Sequence, residues 1–285
     1  MNIKAIFEDN IREYEDLIDR DVAEHLGRMY YRGIAGCDPD SDSPLSLLIW
    51  ELKSVESEND TESELRWIYA ADPSYISELL EDYRKRVLEE DAVKTTFESI
   101  PLDKEKEAAL RDCGFSFKSV ESRYIDVTLR ECTELSIAKK SAPPYIQSIS
   151  SLDNREFNQG LMNIAFGYTS PALEDLSYLP KRWFDQTLSC CVITDGRVNG
   201  FLLIHTCPSG IIIPVLFFAV GADSRINLLE MLRFSIARAA ESRPPDTVIR
   251  ILRRNPPVKA LTEKLFPGKK GEPAVAGERI EKGPE

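Results

Sequence analysis

The sequence contains only two histidines among its 285 residues, and its six cysteines include no CxxC pair. A structural zinc site needs closely spaced cysteine and histidine ligands, so we expect no metal site of that kind. Only Cys190 and Cys191 are neighbours, and adjacent cysteines rarely bridge. Because disulfides are rare in the cytosol, we interpret the cysteines as thiols, mostly buried, of a cytoplasmic protein.

Long apolar runs are also missing. No run approaches the ~20 residues that a helix needs to cross a bilayer. The opening "MNIKAIFEDN" lacks the basic region and the apolar region of a signal peptide. We therefore expect neither a membrane segment nor secretion, and a composition with 42% hydrophobic and 29% charged residues is ordinary for a soluble globular protein.

Positive charge is scarce in the first half of the chain. Residues 1–140 carry 33 acidic and 19 basic side chains, whereas residues 141–285 carry 15 and 17, which gives the net charge of -12. An acidic surface repels phosphates, so we expect no nucleic-acid partner. The same charge favours a cationic substrate.

Apolar periodicity and turn residues predict an α/β chain. In the first half we predict a helix over Phe7–Gly27, then three strands in "MYYRGIAGC", "LSLLIWELKSV" and "ELRWIYA". A helix in "DPSYISELLEDYRKRVLEED" follows, then a strand, and then a short helix that ends at Gly114. "SFKSVESRYIDVTL" is predicted to be extended, and the two prolines of "AKKSAPPY" predict a linker at 138–144. The predicted domains are therefore residues 1–137 and 145–285.

The second half repeats this order. Two helices precede a hairpin turn at Asp195-Gly196, a pair typical of tight β-turns. A strand in "IIIPVLFFAVGA" then runs into the helix "SRINLLEMLRFSIARAAES", and "TVIRILRR" and "NPPVKALTEKLF" predict a strand and a helix. The Gly/Pro-rich tail after Phe266 is predicted to be partly disordered. "YAADPSYISELL" aligns with "AVGADSRINLLE" at an offset of 150, which pairs Ile76 with Ile226 and indicates a duplication.

This element order resembles the GNAT (Gcn5-related N-acetyltransferase) superfamily, as two tandem copies. The resemblance implies, for each copy, a mixed, mostly antiparallel sheet flanked by helices. It also implies that the turn between the central strand and its helix holds the pyrophosphate of acetyl-CoA. Unpaired N–H groups and the positive end of a helix dipole form such an anion site. By this resemblance, the coenzyme-binding residues of the second half are Phe218, Val220, Ala222, Arg225, Ile226, Asn227 and Asn255.

Several family features are absent. Ile226 and Leu228 stand where the family has glycines, and Thr262 stands near the place of its proton-donating tyrosine. Asn255 matches the family asparagine but also suits a plain helix N-cap. In the first half, Glu78, Glu81 and Asp82 fall in the first turns of the helix and would repel a pyrophosphate.

No catalytic residue can be assigned from sequence. Glu64 is either a base or part of a solvated acidic loop, and His205 is either a base or a half-buried strand residue. Cys207 lacks a neighbour that would activate it, and Tyr124 sits on a strand, where tyrosines mostly pack. Core packing is the default for three tryptophans, although two of them would line a cleft if they shared an open face: Trp50, Trp67 and Trp183.

Two hypotheses follow. The first is an N-acetyltransferase that moves an acetyl group from acetyl-CoA to a small-molecule or peptide amine. The second is a non-catalytic ligand-binding or interaction protein on a degenerate GNAT scaffold. Because the second half is short of chain after Phe266, its closing strand is either absent or supplied by another chain, and the latter favours a homodimer.

Overall fold

The computed structural model describes residues 1–7, 9–26, 30–54, 61–98, 102–167, 179–253 and 256–281. The chain divides into two compact units. Unit 1 comprises Met1–Ser122 and Pro273–Glu285, and unit 2 comprises Arg123–Glu272. The end of the chain therefore belongs to the same unit as its beginning.

Unit 1 is built on a seven-stranded sheet. Its helices are α1 (Arg20–Ala23), α2 (Ser74–Glu89) and α3 (Lys104–Asp112), and two short 3-10 turns cover Ile11–Glu13 and Glu15–Leu17. The strands are β1 (Asn2–Ile6), β2 (Tyr31–Cys37), β3 (Pro44–Ser54), β4 (Thr61–Ala70), β5 (Ala92–Glu98), β6 (Ser116–Glu121) and β13 (Pro273–Ile280). Their order across the sheet is β1-β2-β3-β4-β5-β13-β6.

The parallel pair β4–β5 opens along its length. Thr61 to Glu64 pair with residues 92–96, and no partner on β5 is recorded for β4 beyond Glu64 within the described ranges. A bulge in β4 between the pairs Trp50–Leu65 and Ile49–Trp67 adds to the bend at this point. The central strand thus separates from its neighbour just before the turn that leads into α2.

Trp50 and Trp67 lie on opposite faces of the unit 1 sheet. Trp50 packs in the core beneath α2, where its ring meets Tyr83 edge-on at 5.1 Å. Trp67 packs in the core beneath the N-terminal turns, and its indole N–H donates to the Leu17 carbonyl at 2.9 Å. The bulge between their strands changes the alternation, so the cleft that a shared face would have formed does not exist.

Unit 2 is built on a six-stranded sheet. Its helices are α4 (Leu129–Glu134), α5 (Asn154–Gly167), α6 (Ser224–Ser242) and α7 (Pro256–Leu265), with 3-10 turns at Ser136–Lys139, Ile149–Ser151 and Lys181–Trp183. The strands are β7 (Tyr124–Thr128), β8 (Ile146–Ser148), β9 (Cys190–Thr194), β10 (Arg197–Thr206), β11 (Ile212–Ala219) and β12 (Val248–Leu252). Their order across the sheet is β7-β12-β11-β10-β9-β8.

The predicted hairpin at Asp195-Gly196 is present between β9 and β10. Both residues have positive φ, 53° and 70°, which is the conformation that a tight two-residue hairpin turn requires. On the other side of β10, the pairing with β11 shifts between Leu203 and Ile204, next to the pair of Ile204 with Pro214. The bulges of β4 and β11 lie at corresponding places in the two units, which supports the duplication.

Each sheet is completed by a strand from the other half of the sequence. β13 inserts between β5 and β6 of unit 1, antiparallel to both. β7 pairs antiparallel with β12 of unit 2. The compact units therefore change at residues 122/123 and 272/273, and the predicted linker at 138–144 falls inside unit 2. Because this chain supplies the strand beside β12, the reason for expecting a second copy is removed.

Two further expectations fail. The helix predicted over Phe7–Gly27 is replaced by 3-10 turns and by α1, which begins after Asp19 caps it with a side-chain oxygen. Within the tail expected to be partly disordered, Pro273–Ile280 forms β13, and residues 282–285 lie outside the described ranges. Strand pairing with β5 and β6, which lie more than 150 positions earlier in the chain, decides the second case, and local composition does not contain that information. None of the helices in the described ranges has the length and apolarity needed to cross a bilayer.

Candidate coenzyme site

The candidate site in unit 2 lies where β11 leaves β12. The two parallel strands are in register at Ile212 and Ile249, and the described pairing of β11 beyond this point is with β10 alone. The side chains from Ile213 to Phe218 are all partly exposed, although β11 is an inner strand of the sheet. An apolar strand with one unpaired edge thus lines an opening in the sheet.

The unpaired edge of β11 presents the backbone of Phe217 and Ala219. The Val220 N–H donates to the Asn199 carbonyl at 2.8 Å, so Val220 faces β10. Antiparallel strands alternate between hydrogen-bonded and outward-facing residues. Phe218 therefore also faces β10, and the outward groups are one residue out of step with the predicted pair Phe218 and Val220.

The turn after β11 is tight and exposed. Gly221 has a φ of +89°, a value that favours glycine, and Ala222 and Asp223 are exposed. Asp223 holds the N-cap position of α6, yet its side chain accepts no hydrogen bond from the described part of the helix. The backbone instead makes two local bonds, from Ser224 to Gly221 at 3.2 Å and from Asn227 to Asp223 at 2.9 Å. The positive end of the 19-residue helix α6 therefore faces outward without a side-chain cap.

The first turn of α6 separates the predicted site residues. Arg225 is exposed and forms no ion pair with any described residue. Ile226 is 54% exposed, whereas Asn227 is 6% exposed and belongs to the buried side of the helix. Arg233 is not available to a phosphate, because it donates to the Ile137 carbonyl at 3.0 Å and pairs with Glu230. Asn255 lies outside the described residues.

In unit 2, Thr262 stands near the position where the family has its proton-donating tyrosine, and its hydroxyl is already hydrogen-bonded within the helix. Thr262 is buried on α7, and its hydroxyl donates to the Lys259 carbonyl at 2.9 Å. A helical threonine often bonds the preceding turn in this way. Its counterpart in unit 1, Leu110, is fully buried in the apolar core. Neither side chain resembles a phenol that could protonate a leaving thiolate.

The corresponding turn of unit 1 is closed by its own carboxylate. Asp72 accepts the Ser74 N–H at 2.8 Å, and bonds from the Ser74 hydroxyl and N–H lower the pKa of Asp72. Glu78, in the next turn of α2, pairs with the N-terminal ammonium at 3.3 Å. Ile76 is fully buried, so α2 packs its first turn into the core. An anion at this helix end would meet two carboxylates.

The candidate bases are engaged in structural contacts. His205 is 5% exposed, stacks on Trp183 with ring centroids 3.9 Å apart, and places Nδ1 2.9 Å from the Trp183 carbonyl oxygen. Glu64 is buried and pairs with Lys53 and Arg66, which contradicts the solvated-loop interpretation. Burial alone would raise the pKa of nearby Glu51, but Arg66 and Lys53 outweigh it and lower that pKa.

The cysteines offer no activated nucleophile. None of the six forms a disulfide, and five of them are buried. Burial raises the pKa of Cys132 and of Cys191 to about 12, and it also raises the pKa of Cys190. A thiol with such a pKa is almost fully protonated at neutral pH and therefore a poor nucleophile. Cys207 is 4% exposed at the end of β10.

A buried polar network in unit 1 was not found from sequence. The Tyr83 hydroxyl lies 2.6 Å from the Ser63 hydroxyl and 3.0 Å from that of Thr95. Thr95 donates to Glu281 at 2.6 Å, and Arg279 Nε donates to the same carboxylate at 2.8 Å. The network joins β4, α2 and β5 to the last strand. The chain order gives no signal for it, because Glu281 lies 186 residues after Thr95.

Comparison with known proteins finds similarity in fold but no match in sequence. No protein-family model matches the sequence, and no curated protein matches it. A solved tandem GNAT protein from the clavulanic acid biosynthesis pathway aligns with a TM-score of 0.60 and 10% identity over 100% of both chains. N-myristoyltransferase of Saccharomyces cerevisiae with bound myristoyl-CoA aligns with a TM-score of 0.57 and 11% identity, over 98% of this chain and 79% of that one.

A third similar structure is a C-terminal DUF2156 domain from Agrobacterium fabrum, named after lysylphosphatidylglycerol synthetase. It aligns with a TM-score of 0.51 and 11% identity, over 96% of this chain and 92% of that one. At such identities the likeness is one of fold. The fold is that of two tandem GNAT-like domains, and the fold class predicted from the element order is confirmed.

Proposed function

We propose that the chain is an acyl-CoA-dependent N-acyltransferase that binds its coenzyme in unit 2. The observation that carries the proposal is the open turn of α6 beside the unpaired edge of β11. The outward backbone groups of Phe217 and Ala219 suit the amides of a pantetheine arm. The uncapped end of α6 suits a pyrophosphate, which a helix N-terminus stabilises through its N–H groups and its dipole.

Arg225 is the side chain assigned to the phosphates. It is exposed at the turn and has no ionic partner among the described residues, so it is available for a charge-assisted bond to a phosphate oxygen. Ala222 to Ile226 form the remainder of the turn that faces the pyrophosphate, and the buried Asn227 supports this turn from the inner side of the helix. Ile226 takes the place of a family glycine, and because its side chain points largely into solvent, the helix end keeps space for the phosphates.

The reaction proposed is direct acyl transfer. The amine nitrogen attacks the thioester carbonyl carbon, a C–N bond forms, and the C–S bond breaks as coenzyme A leaves. The amine proton passes to solvent or to a base, and the thiolate takes up a proton. Acetyl-CoA is the donor we expect. The acidic composition of the chain, with a net charge of -12, favours a cationic acceptor that loses its proton before attack.

The test is calorimetric titration with acetyl-CoA, followed by the same titration of Arg225→Glu. We expect micromolar binding that weakens at least ~10-fold in the variant, about 1.4 kcal/mol, because an attractive charge becomes repulsive. Arg238→Glu is the matched control, since Arg238 lies on the same helix but more than three turns away. Absence of binding at millimolar coenzyme would remove the proposal, and equal losses in both variants would remove the assigned site.

A non-catalytic role is the second candidate. It is favoured by Thr262, because this residue replaces the proton-donating tyrosine and its hydroxyl is bound to the Lys259 carbonyl. Without an acid for the leaving thiolate, the scaffold could hold acyl-CoA and not turn it over. Release of free thiol from acetyl-CoA, measured with spermidine and with a lysine-rich peptide as acceptors, separates the two candidates. Binding without thiol release supports the non-catalytic role, and acceptor-dependent release supports the enzyme. A parallel assay with myristoyl-CoA tests which length of acyl group the protein accepts.

A further inference from the structure

The sheet of unit 2 ends at β7, whereas the sheet of unit 1 continues. In unit 1, β13 lies beside β5 and is paired on its other side by β6, with Ala276 opposite Lys118. In unit 2, β7 lies beside β12 in the corresponding place, and no described strand pairs with its outer side. The repeat therefore indicates what the architecture accepts beyond β7, namely an antiparallel strand.

The outward backbone groups of β7 are those of Tyr124, Asp126 and Thr128. Arg253 N–H donates to the Arg123 carbonyl and Leu129 N–H donates to the Thr247 carbonyl, so odd-numbered residues of this segment face β12. Even-numbered residues face outward by the alternation of antiparallel strands. The Thr128 N–H is capped by Glu131 at 2.8 Å, which leaves Asp126 at the centre of the edge.

A lysine side chain holds the place of the missing strand. Lys269 Nζ donates to the backbone carbonyl of Asp126 at 3.3 Å and lies 2.9 Å from Glu131. Lys269 and Glu131 line a groove of about 500 Å³ between α4 and the turn after α7. Its lining also includes Glu134, Leu135, Leu265 and Phe266. The groove offers apolar walls and two carboxylates, and Lys269 connects it to the edge of β7 at Asp126. A lysine on an edge also discourages unspecific pairing.

We propose that this groove binds an extended, basic peptide of a partner protein, which adds to the sheet as a strand beside β7. The peptide backbone replaces Lys269 at Asp126, donating to the carbonyl and accepting from the N–H. One of its cationic side chains replaces the ammonium at Glu131, and its alternate apolar side chains contact Leu135, Leu265 and Phe266. Strand addition of this kind takes affinity from main-chain bonds and specificity from side-chain pockets.

A second copy of the chain fits less well than a peptide. Antiparallel pairing of β7 with β7 of another copy would require both Lys269 side chains to leave. A peptide displaces one lysine and supplies a cation in return.

The test uses a fluorescein-labelled heptapeptide of alternating lysine and valine, with a glutamate–valine peptide for comparison, in fluorescence anisotropy titrations of the full chain. Asp126→Pro removes only an outward N–H from the backbone, a position where an edge strand tolerates proline. Asp126→Ala is its control, because it loses the same carboxylate and keeps the N–H. Both variants lose the ion pair of Asp126 with Arg250, so they are compared with each other. We expect the basic peptide to bind Asp126→Pro at least 10-fold more weakly than Asp126→Ala.

Lys269→Met provides the second arm, since it keeps the stem and removes the competing ammonium. We expect it to bind the basic peptide at least 3-fold more tightly than wild type, and this arm decides the matter if Asp126→Pro does not fold. Equal affinity for the acidic peptide, or unchanged affinity in Lys269→Met, would overturn the proposal. Dimerisation of Lys269→Met without peptide, seen by sedimentation, would overturn it in favour of a second copy.

Discussion

The turn before α2 and the turn before α6 have the same place in the two units, but only one of them is capped from within. The residue before the N-cap is Asp72 in unit 1, where it accepts the Ser74 N–H, and Ala222 in unit 2. A carboxylate at a helix N-terminus takes up the donors and the dipole that would otherwise attract an external anion. The turn of unit 1 is thus capped by a carboxylate, whereas Asp223 at the N-cap of α6 accepts no hydrogen bond from the described part of its helix and leaves that turn open.

The two helices also differ in how they pack. Ile76 and Ile226 align in sequence, yet the first is fully buried and the second is 54% exposed. Leu79 is fully buried and its counterpart Leu229 is 37% exposed, whereas α6 turns Asn227 inward. Similar apolar spacing therefore does not imply similar packing, and the helix of unit 2 leaves its first turn outside the core.

The core of unit 1 contains polar groups that fix the helix above it. Tyr83 of α2 is fully buried and joins Ser63 and Thr95, and Thr95 contacts the carboxylate of Glu281. The corresponding helix of unit 2 is tied by other contacts, among them the bond from the Ser235 hydroxyl to the Leu188 carbonyl at 2.6 Å. Unit 1 thus relies on a charged group for its closed packing, and this reliance makes the difference between the units testable.

The largest effect is expected from Glu281→Ala. The Glu281 side chain is fully buried against Arg279, and its removal leaves that guanidinium without its buried partner. Breaking a buried ion pair from one side costs about 3–5 kcal/mol. We expect a loss of this size in the free energy of unfolding of unit 1, measured by urea denaturation with tryptophan fluorescence. A Trp183→Phe background leaves Trp50 and Trp67 as the reporters, both of which lie in unit 1.

Glu278→Ala is the control for this variant, because Glu278 lies on the same strand but is partly exposed and pairs with Lys118 at 3.6 Å. We expect it to change stability by less than ~1 kcal/mol, as for other surface pairs. Equal losses of stability in the two variants would show that any change on β13 destabilises unit 1. The buried carboxylate of Glu281 would then make no particular contribution.

Ala222→Asp is expected to have an intermediate effect, on binding instead of stability. It gives unit 2 the carboxylate that closes unit 1, so acetyl-CoA should bind at least ~10-fold more weakly in calorimetry, about 1.4 kcal/mol. The melting temperature should not fall, because an acidic residue at a helix N-terminus stabilises the helix. Such a result would show that a carboxylate at this position is enough to close the turn of unit 2 to acetyl-CoA, as Asp72 closes the turn of unit 1.

Ala222→Asn is the control for Ala222→Asp, since it adds a side chain of similar size without charge. A much smaller loss of binding in Ala222→Asn would assign the effect to charge. Equal losses would assign it to bulk, and unchanged binding in both variants would mean that this turn does not contact the pyrophosphate.

Much of the local structure could be predicted because short-range chemistry specifies it. The hairpin at Asp195-Gly196 and the end of α3 near Gly114 follow from residues that accept positive φ, and both are present. The run of strand, turn and helix around α6 was predicted from periodicity, and it led to the GNAT-like fold. These elements depend on neighbours in sequence.

What could not be predicted depends on distant pairing. β13 comes from a Gly/Pro-rich tail and becomes a strand only because β5 and β6 pair with it on both sides. The outward residues of β11 could not be predicted either, because the partner of Val220 is Asn199 and pairing register is not visible in the sequence of one strand. The capping role of Asp72 does not follow from the usual N-cap pattern either, because Asp72 lies one position before the N-cap residue Pro73.

The smallest effect is expected from Asp72→Ala, which opens the turn of unit 1. The Asp72 pKa lies below its ordinary value, so the charged cap stabilises the fold above the ordinary aspartate pKa of about 3.9, and this contribution is lost as the pH falls through the lowered pKa. The variant should therefore melt slightly below wild type at pH 7, and the difference should vanish near pH 2. Thermal unfolding followed by circular dichroism at the two pH values measures this. Acetyl-CoA binding should not increase, because Glu78, Glu81 and Asp82 remain near the helix end; a gain in binding would mean that Asp72 alone keeps the coenzyme out of unit 1.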